Sequence, residues 1–161
     1  MALKGVPAFY LPALLASEND IKSFSMTGQR RDLNREKFKS DNLVSVLNNP
    51  ESNANKNIKY LRNAMDVRSE LEQFHPCSEM ECLSKGRSDI VVIKRGKGTK
   101  SVFAIHNMTE NKINYQLNDY DLPEIIDNDF NMKDFLASTE YNWKNISLDP
   151  FQVIWLGSLM K

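Results

Sequence analysis

The chain has 161 residues, enough for one ordinary domain or two small lobes. Its 21 lysine and arginine residues balance 21 aspartate and glutamate residues, so no overall basic field exists to hold nucleic acid or an anionic membrane. No apolar run approaches the ~20 residues that cross a bilayer, and Pro7 and Pro12 interrupt the N-terminal apolar stretch, which argues against a signal peptide. Cys77 and Cys82 lack a secretory context, so the sequence predicts a cytoplasmic protein with free thiols.

Residues 5–11, with the sequence GVPAFYL, predict a short strand that is buried on both faces. Continuous apolar runs of this kind are typical of parallel sheets that helices cover on both sides. Pro7 has no backbone donor and should therefore lie near the start of the strand. A charged elbow follows at residues 26–38, with the sequence MTGQRRDLNREKF. The change from apolar to charged residues raises the question of what the elbow contacts.

The arginines of the charged elbow are Arg30, Arg31 and Arg35. In α/β barrels the loops that follow the strands build the active site, so the position of these arginines favours a functional role. The rigid fork of arginine can bind vicinal sugar hydroxyls or a phosphate through two hydrogen bonds. The alternative is that these side chains only form ion pairs at the surface.

Two helices are predicted after the elbow. Asp41 is predicted to cap a short helix over 42–49. Ser52 is predicted to cap an amphipathic helix over roughly 54–72, because apolar residues recur there at helical spacing. The strand, the elbow and the helix make one β/α unit, which cannot bury its own strand. The sequence therefore predicts that the strand lacks its neighbours.

From residue 74 onward the pattern is typical of strands. The four predicted strands are 89–96, 101–109, 112–117 and 151–156. Gly96 and Gly98 suit the hairpin between the first two strands. Residues 132–138, with the sequence MKDFLAS, fit either a helical turn or an edge strand. This half of the chain is predicted to be a small antiparallel sheet or sandwich.

His75, Cys77 and Cys82 are the only cluster with metal-ligand chemistry. A structural zinc site needs four such ligands and a catalytic site usually has three, and the remaining histidine, His106, lies on a predicted strand. A loop with two thiols is the favoured interpretation, so we predict no metal and no cofactor. The sequence also lacks the glycine loops that bind nucleotides and the motifs of serine hydrolases and zinc proteases.

One segment, GVPAFYLPALLASENDIKSFSMTGQRRDLNREKF at residues 5–38, resembles the end of the catalytic barrel in the sucrose-phosphorylase-like branch of the α-amylase superfamily. In that branch a Gly-(Val/Ile)-Pro strand precedes a small-residue loop ending in Asn-Asp. An Arg-x-(Ile/Leu)-Asn-Arg motif follows, which here is RDLNR at residues 31–35. The stretches DVRSELEQFHP and LDPFQVIWL resemble the last barrel helix, with the start of the C-terminal domain, and the final strand of that domain.

The resemblance implies an α+β fragment, in which the last β/α unit of a TIM barrel is followed by a small antiparallel β-sandwich domain. Residues 1–73 would form the incomplete last portion of the barrel, and residues 74–161 would form the C-terminal β domain. Enzymes of this branch are cytoplasmic phosphorylases that cleave an α-glucoside with inorganic phosphate and retain configuration in α-glucose 1-phosphate. Their nucleophilic aspartate, acid/base glutamate and second aspartate all lie upstream of this region.

The resemblance also implies roles for residues of the motif. Arg31 would contact the bound glucosyl ring, while Asn34 and Arg35 would brace the loop. No residue of the chain is predicted to be catalytic, so we predict that these residues alone have no phosphorylase activity. The sequences Thr-Gly and Arg-Glu-Lys around the motif favour glucosylglycerate or glucosylglycerol over sucrose as the substrate type.

A stand-alone, non-catalytic β domain that binds sugar or a protein partner is the alternative. That domain would cover Phe9, Tyr10, Leu14 and Leu15, whereas a fragment would leave them without barrel neighbours. Hydrolysis instead of phosphorolysis also stays open within the branch. The predicted partners are an α-glucoside and inorganic phosphate in the full-length protein, with no nucleic acid and no membrane. A homo-oligomer formed through the exposed barrel strand is a further predicted assembly.

Overall fold

The computed structural model describes residues 1–34, 38–84, 86–118, 122 and 131–158. The chain divides into two compact units. The helical unit is Pro7–Met65, and the β-rich unit combines Met1–Val6 with Asp66–Lys161. None of the helices in the described ranges is both long enough and apolar enough to span a bilayer.

Helices occupy most of the described chain between residues 11 and 74. The α-helices are Leu11–Leu14 (α1), Ile21–Thr27 (α2), Ser40–Asn48 (α3) and Asn53–Glu70 (α4). Short 3-10 helices are Arg30–Asn34, Glu72–Phe74 and Gly98–Lys100. The division between the two units falls inside α4, between Met65 and Asp66. The division into 1–73 and 74–161 that the sequence suggests stays a prediction.

Both helices predicted after the charged elbow are confirmed, with one correction to their caps. The N-cap of α3 is Lys39, and Asp41 lies in the first turn, so the predicted cap at Asp41 is wrong. A carboxylate in the first turn still favours the helix, because it lies near the positive end of the helix dipole. Ser52 caps α4 as predicted, since its Oγ accepts a hydrogen bond from the backbone N–H of Asn55 at 3.1 Å.

The strand predicted over residues 5–11 is not formed, and this prediction is wrong. Residues 6–10 are irregular, Leu11 begins α1, and Val6 is 82% exposed. A strand requires hydrogen-bonded neighbours, and the described strands pair only with one another. The apolar sequence therefore lacks the partners that would make it a strand here. Formation of a homo-oligomer stays a prediction.

The strands of the β-rich unit form antiparallel sheets, as predicted. They are Met80–Cys82 (β1), Ile90–Arg95 (β2), Val102–Asn107 (β3), Ile113–Tyr115 (β4), Asn131–Asp134 (β5), Glu140–Asn142 (β6), Ile146–Leu148 (β7) and Val153–Gly157 (β8). Among the described strands, the larger sheet has the order β1-β2-β3-β8-β5-β6, and β4 pairs with β7 in the smaller one. Gly96 and Gly98 have φ values of 80° and 58° between β2 and β3, so the predicted hairpin is confirmed.

One face of the larger sheet and the smaller sheet share a single apolar core. Core side chains alternate along three neighbouring strands, and they are Ile90, Val92, Phe103, Ile105, Ile154 and Leu156. The smaller sheet contributes Tyr115, Ile146 and Leu148 to the same cluster. The alternation follows from the period of two along a strand, which places every second side chain on the buried face. The packing of two antiparallel sheets therefore agrees with the predicted β architecture of this half.

Candidate functional site

The charged elbow is built on helix α2 and on the 3-10 helix that follows it. Asp20 caps α2, because its Oδ1 accepts from the backbone N–H of Ser23 at 2.9 Å and its Oδ2 accepts from the Ser23 hydroxyl at 2.6 Å. Gly28 ends α2 with a φ of 66°, and its N–H donates to the carbonyl of Phe24 at 2.8 Å. The left-handed glycine turns the chain into the arginine motif.

Two further hydrogen bonds fix the 3-10 helix Arg30–Asn34. The backbone N–H of Asp20 donates to the carbonyl of Leu33 at 2.8 Å. The hydroxyl of Thr27 donates to Oδ2 of Asp32 at 2.6 Å, a short bond to a charged acceptor. The elbow is therefore held both through its main chain and through the carboxylate next to Arg31.

Arg31 is available to a ligand. Its side chain is 66% exposed, and its Nε lies 4.0 Å from Oδ1 of Asp32. An exposed ion pair at this distance contributes little, so it does not compete strongly for the guanidinium. Within the described ranges, no other partner of the Arg31 side chain is found. The paired N–H donors of the fork can therefore bind the oxygens of a sugar or phosphate.

The residues predicted to brace the loop have different outcomes. The carbonyl of Asn34 accepts a hydrogen bond from the hydroxyl of Tyr10 at 2.9 Å, so this position is tied through its backbone. A bracing role for the Asn34 side chain stays a prediction. Arg35 lies outside the described residues, so its role also stays a prediction.

A cleft of about 720 Å³ lies in the same helical unit. The loop after α1, helix α3 and the start of α4 supply its walls, which are Leu15, Ala16, Ser17, Glu18, Phe38, Lys39, Asn42, Leu43, Ser45, Val46, Asn53 and Ala54. Ala16 has a φ of 48°, a conformation that residues other than glycine seldom adopt. Phe38, the last residue of the charged elbow, lines this cleft, but Arg31 does not, so a sugar pocket around Arg31 stays a prediction.

His75, Cys77 and Cys82 are not arranged as a metal site. Nδ1 of His75 accepts a hydrogen bond from the backbone N–H of Cys77 at 3.2 Å, and both thiols are free and exposed. In the described part of the chain, no group of three or more His, Cys, Asp or Glu side chains could hold an ion.

Two titratable side chains in the β-rich unit have pKa values shifted by burial. Burial lowers the pKa of the His106 imidazole, and its Nε2 has no hydrogen-bond partner among the described residues. Burial raises the pKa of the Asp134 carboxyl, whose Oδ1 accepts from the backbone N–H groups of Leu136 and Trp155. Asp134 thereby connects β5 to β8, which is a structural role.

Two residues that hold the elbow in place were missed at the level of sequence. Asp20 had a readable signal, because Ser23 follows it at the spacing by which an N-cap carboxylate accepts the N–H of the third helical residue. Tyr10 had none, since its hydroxyl bonds to a residue 24 positions away in the sequence. Contacts of that kind depend on tertiary structure and leave no local pattern.

The chain is similar in sequence to enzymes named glucosylglycerate phosphorylase. It is 32% identical to the enzyme of Allomeiothermus silvanus over 110 residues, which make up 68% of this chain and 20% of that enzyme. It is 20% identical to the enzyme of Escherichia coli over 156 residues, which make up 97% of this chain and 26% of that enzyme. The chain thus spans about a fifth to a quarter of the length of these relatives. No protein-family model matches the chain.

Solved structures with a similar fold are enzymes of the α-amylase type. A trehalulose synthase from Pseudomonas mesoacidophila superposes with a TM-score of 0.54 at 13% identity, over 71% of this chain and 19% of that one. An α-amylase from Anoxybacillus superposes with a TM-score of 0.52 at 16% identity, over 70% of this chain and 25% of that one. At these identities the likeness concerns the fold alone.

The predicted resemblance to sucrose-phosphorylase-like enzymes is confirmed by relatives that are named glucosylglycerate phosphorylase, and the fold is similar to that of α-amylase-type enzymes. The sequence similarity extends over both units, because the match to the Escherichia coli phosphorylase takes in 97% of the chain. It therefore includes the charged elbow as well as the β-rich unit. Arg31 consequently lies within the part of the chain that is similar to a phosphorylase.

Proposed function

We propose that these 161 residues are the C-terminal part of a retaining α-glucoside phosphorylase. The observation that carries the proposal is the 32% identity to a glucosylglycerate phosphorylase over 110 residues. The proposed reaction of the full-length protein cleaves an α-glucoside with inorganic phosphate and releases α-glucose 1-phosphate. Glucosylglycerate is the favoured substrate, with sucrose and glucosylglycerol as the other types in the branch. A cytoplasmic location belongs to the same proposal.

The covalent chemistry would be done by carboxylates outside these residues. In a retaining mechanism one carboxylate attacks the anomeric carbon and forms a glucosyl-enzyme, while a carboxylic acid protonates the departing oxygen. Inorganic phosphate then attacks the same carbon from the face that the leaving group occupied. Because the branch places both carboxyl groups upstream, this chain would contribute substrate binding and support for the barrel.

Arg31 is the residue we propose for contact with the glucosyl ring. Its exposed guanidinium sits beside Asp32, which the Thr27 hydroxyl holds in place at 2.6 Å. A rigid two-pronged donor on an ordered loop loses little conformational freedom when it binds neighbouring sugar hydroxyls. The elbow would then form one wall of the sugar pocket at the barrel rim.

The helical unit exposes apolar side chains that a complete barrel would cover. Its large exposed hydrophobic residues include Tyr10, Leu11, Ile21, Met26 and Val44. Phe9 is also exposed, Leu14 is half-buried and Leu15 is buried, so this stretch is only partly covered. A stand-alone domain is expected to cover such residues. The alternative of a non-catalytic β domain is not favoured, because the relatives are named phosphorylases.

The test of the proposed site is the Arg31→Ala substitution in the full-length protein that contains these residues. Loss of a contact that strengthens in the transition state should cost about 2–4 kcal/mol of transition-state stabilisation. The value of kcat/KM for glucosylglycerate should therefore fall on the order of 30- to 1,000-fold. Arg31→Lys should recover only part of the loss, because lysine lacks the fork.

Steady-state kinetics with glucosylglycerate and inorganic phosphate measure these effects. Arg30→Ala is the matched control, because Arg30 is the neighbouring exposed arginine of the same 3-10 helix. Unchanged kinetics in Arg31→Ala would show that the site is assigned to the wrong residue.

A further inference from the structure

Arg68, on the part of α4 that belongs to the β-rich unit, binds the backbone of the first residues of the chain. Its Nη2 donates to the carbonyl of Gly5 at 2.8 Å, and its Nη1 donates to the carbonyl of Met1. One guanidinium therefore bridges the two ends of segment 1–5. Hydrogen bonds from a charged donor are stronger than those between neutral groups.

Arg95, on β2, binds the same segment from the sheet. Its side chain is fully buried, and its Nη1 donates to the carbonyl of Ala2 at 2.9 Å. Its Nη2 donates to the carbonyl of His75 at 2.9 Å, and its Nε donates to the carbonyl of Glu79 at 3.3 Å. In the described ranges neither this arginine nor Arg68 forms an ion pair with a carboxylate. The backbone carbonyl groups therefore compensate the buried charge of Arg95, and losing them would lower the stability of the fold.

Phe74 connects the two arginines. The guanidinium carbons of Arg68 and Arg95 each lie 5.4 Å from the centroid of the Phe74 ring, within the range of a cation–π contact. The ring itself is buried and packs on Trp155 of β8, with 4.4 Å between the ring centroids. One aromatic side chain therefore contacts both cations while it packs on the sheet.

We propose that Arg68, Phe74 and Arg95 form an arginine clamp whose role is to fix segment 1–5 on the β-rich unit. The clamp recognises carbonyl groups, so its occupant is the chain's own backbone in this segment. Ala2 is buried, so the segment packs closely on the unit at this residue. This inference does not depend on the proposed catalytic function.

Order parameters from nitrogen-15 relaxation of the full 161-residue chain test the clamp at residues 2–5. In the unchanged protein these amides should be rigid, with values of about 0.85. Arg68→Met removes both hydrogen bonds of that side chain while keeping an unbranched stem, and should lower the values at residues 2–5 below about 0.6. Residues 90–95 and 102–107, in β2 and β3, should stay rigid. Arg62→Met is the matched control, because Arg62 is an exposed arginine of the same helix.

Rigid amides at residues 2–5 in Arg68→Met would overturn the proposal, and so would mobile amides there in the unchanged protein. If β2 and β3 also lose order in Arg68→Met, then Arg68→Lys decides the question. Lysine keeps the charge but lacks the planar fork whose two nitrogens reach the two carbonyls, so residues 2–5 should become mobile while the strands stay rigid. Order parameters at residues 2–5 of Arg68→Lys that equal those of the unchanged protein would reject the proposed clamp. Loss of order in β2 and β3 of Arg68→Lys would reject it as well.

Discussion

At the scale of single residues, the imidazole of His106 links stability to pH. Burial lowers its pKa below the ordinary value of 6.5, so the unfolded chain binds a proton more readily than the folded chain near that pH. The contribution of this group to the free energy of unfolding is therefore undiminished above pH 6.5 and is lost as the pH falls below that value. The loss should reach at most about 1.4 kcal/mol per pH unit.

Urea unfolding at about pH 7.5 and about pH 5.5 measures this effect. The unchanged protein should lose more stability between the two pH values than His106→Gln, which cannot be protonated. His75→Gln is the control, because His75 is exposed. The explanation fails if His106→Gln and the unchanged protein lose the same amount.

Arg31 shows which functional details of a single residue the sequence can supply. The motif RDLNR and its resemblance to the phosphorylase branch are enough to single out this arginine. Its place in a 3-10 helix, with Asp32 held by Thr27, follows from the Asp20 cap and the Gly28 turn. Those features are local and readable from sequence. The hydrogen bond from the Tyr10 hydroxyl to the Asn34 carbonyl cannot be read from the sequence, because it joins residues 24 positions apart.

At the scale of secondary structure, Asp134 holds the end of β5 against β8. The carboxyl is buried, and its Oδ1 accepts from Trp155 N–H at 2.9 Å and from Leu136 N–H at 3.0 Å. Asp134→Ala would leave buried donors without partners and should lower the free energy of unfolding by about 2–4 kcal/mol. Asp134→Asn should cost less, because the amide oxygen can still accept.

Denaturant unfolding followed by tryptophan fluorescence measures the loss, because Trp143 and Trp155 are both buried in the β-rich unit and Trp155 lies on the strand that Asp134 anchors. Asp66→Ala, at an exposed position of α4, serves as the control and should change stability little. A cost in Asp134→Ala no larger than that of the control would contradict the anchoring role.

The elements differ in how far their sequences determine them. Strands β2 and β3 combine β-branched residues, alternation and turn glycines, so the hairpin is predictable. Strands β1, β6 and β7 have three residues each and were not predicted, whereas the equally short β4 lies within the longer run KINYQL that predicts a strand over 112–117. Residues 132–138 fit either an edge strand or a helical turn because β5 ends at Asp134 and a turn follows. The segment therefore contains part of a strand pattern and part of a turn pattern.

Residues 5–11 fail as a strand for a different reason. Their apolar pattern is typical of a central strand of a parallel sheet, which is stable only when other strands hydrogen-bond to it. None of the described strands pairs with this segment. The sequence therefore indicates an environment that this chain does not supply, which agrees with the proposal that the helical unit belongs to a larger barrel.

At the scale of the whole molecule, the two units differ in how well their apolar residues are covered. In the described ranges the buried apolar cluster lies in the β-rich unit, between its sheets, whereas the helical unit exposes residues such as Ile21 and Met26 at 67% and 87%. The chain also spans about a fifth of the length of the phosphorylase from Allomeiothermus silvanus. Both observations support a proposal in which the catalytic carboxylates are supplied by chain outside these residues.

The most direct test of the proposed function is an assay of the native polypeptide, isolated from source cells with an antibody raised against these 161 residues. We predict a polypeptide several times larger than 18.5 kDa that releases α-glucose 1-phosphate from glucosylglycerate only when inorganic phosphate is present. Release of free glucose without phosphate dependence, or an inactive polypeptide of 18.5 kDa, would contradict the proposed function.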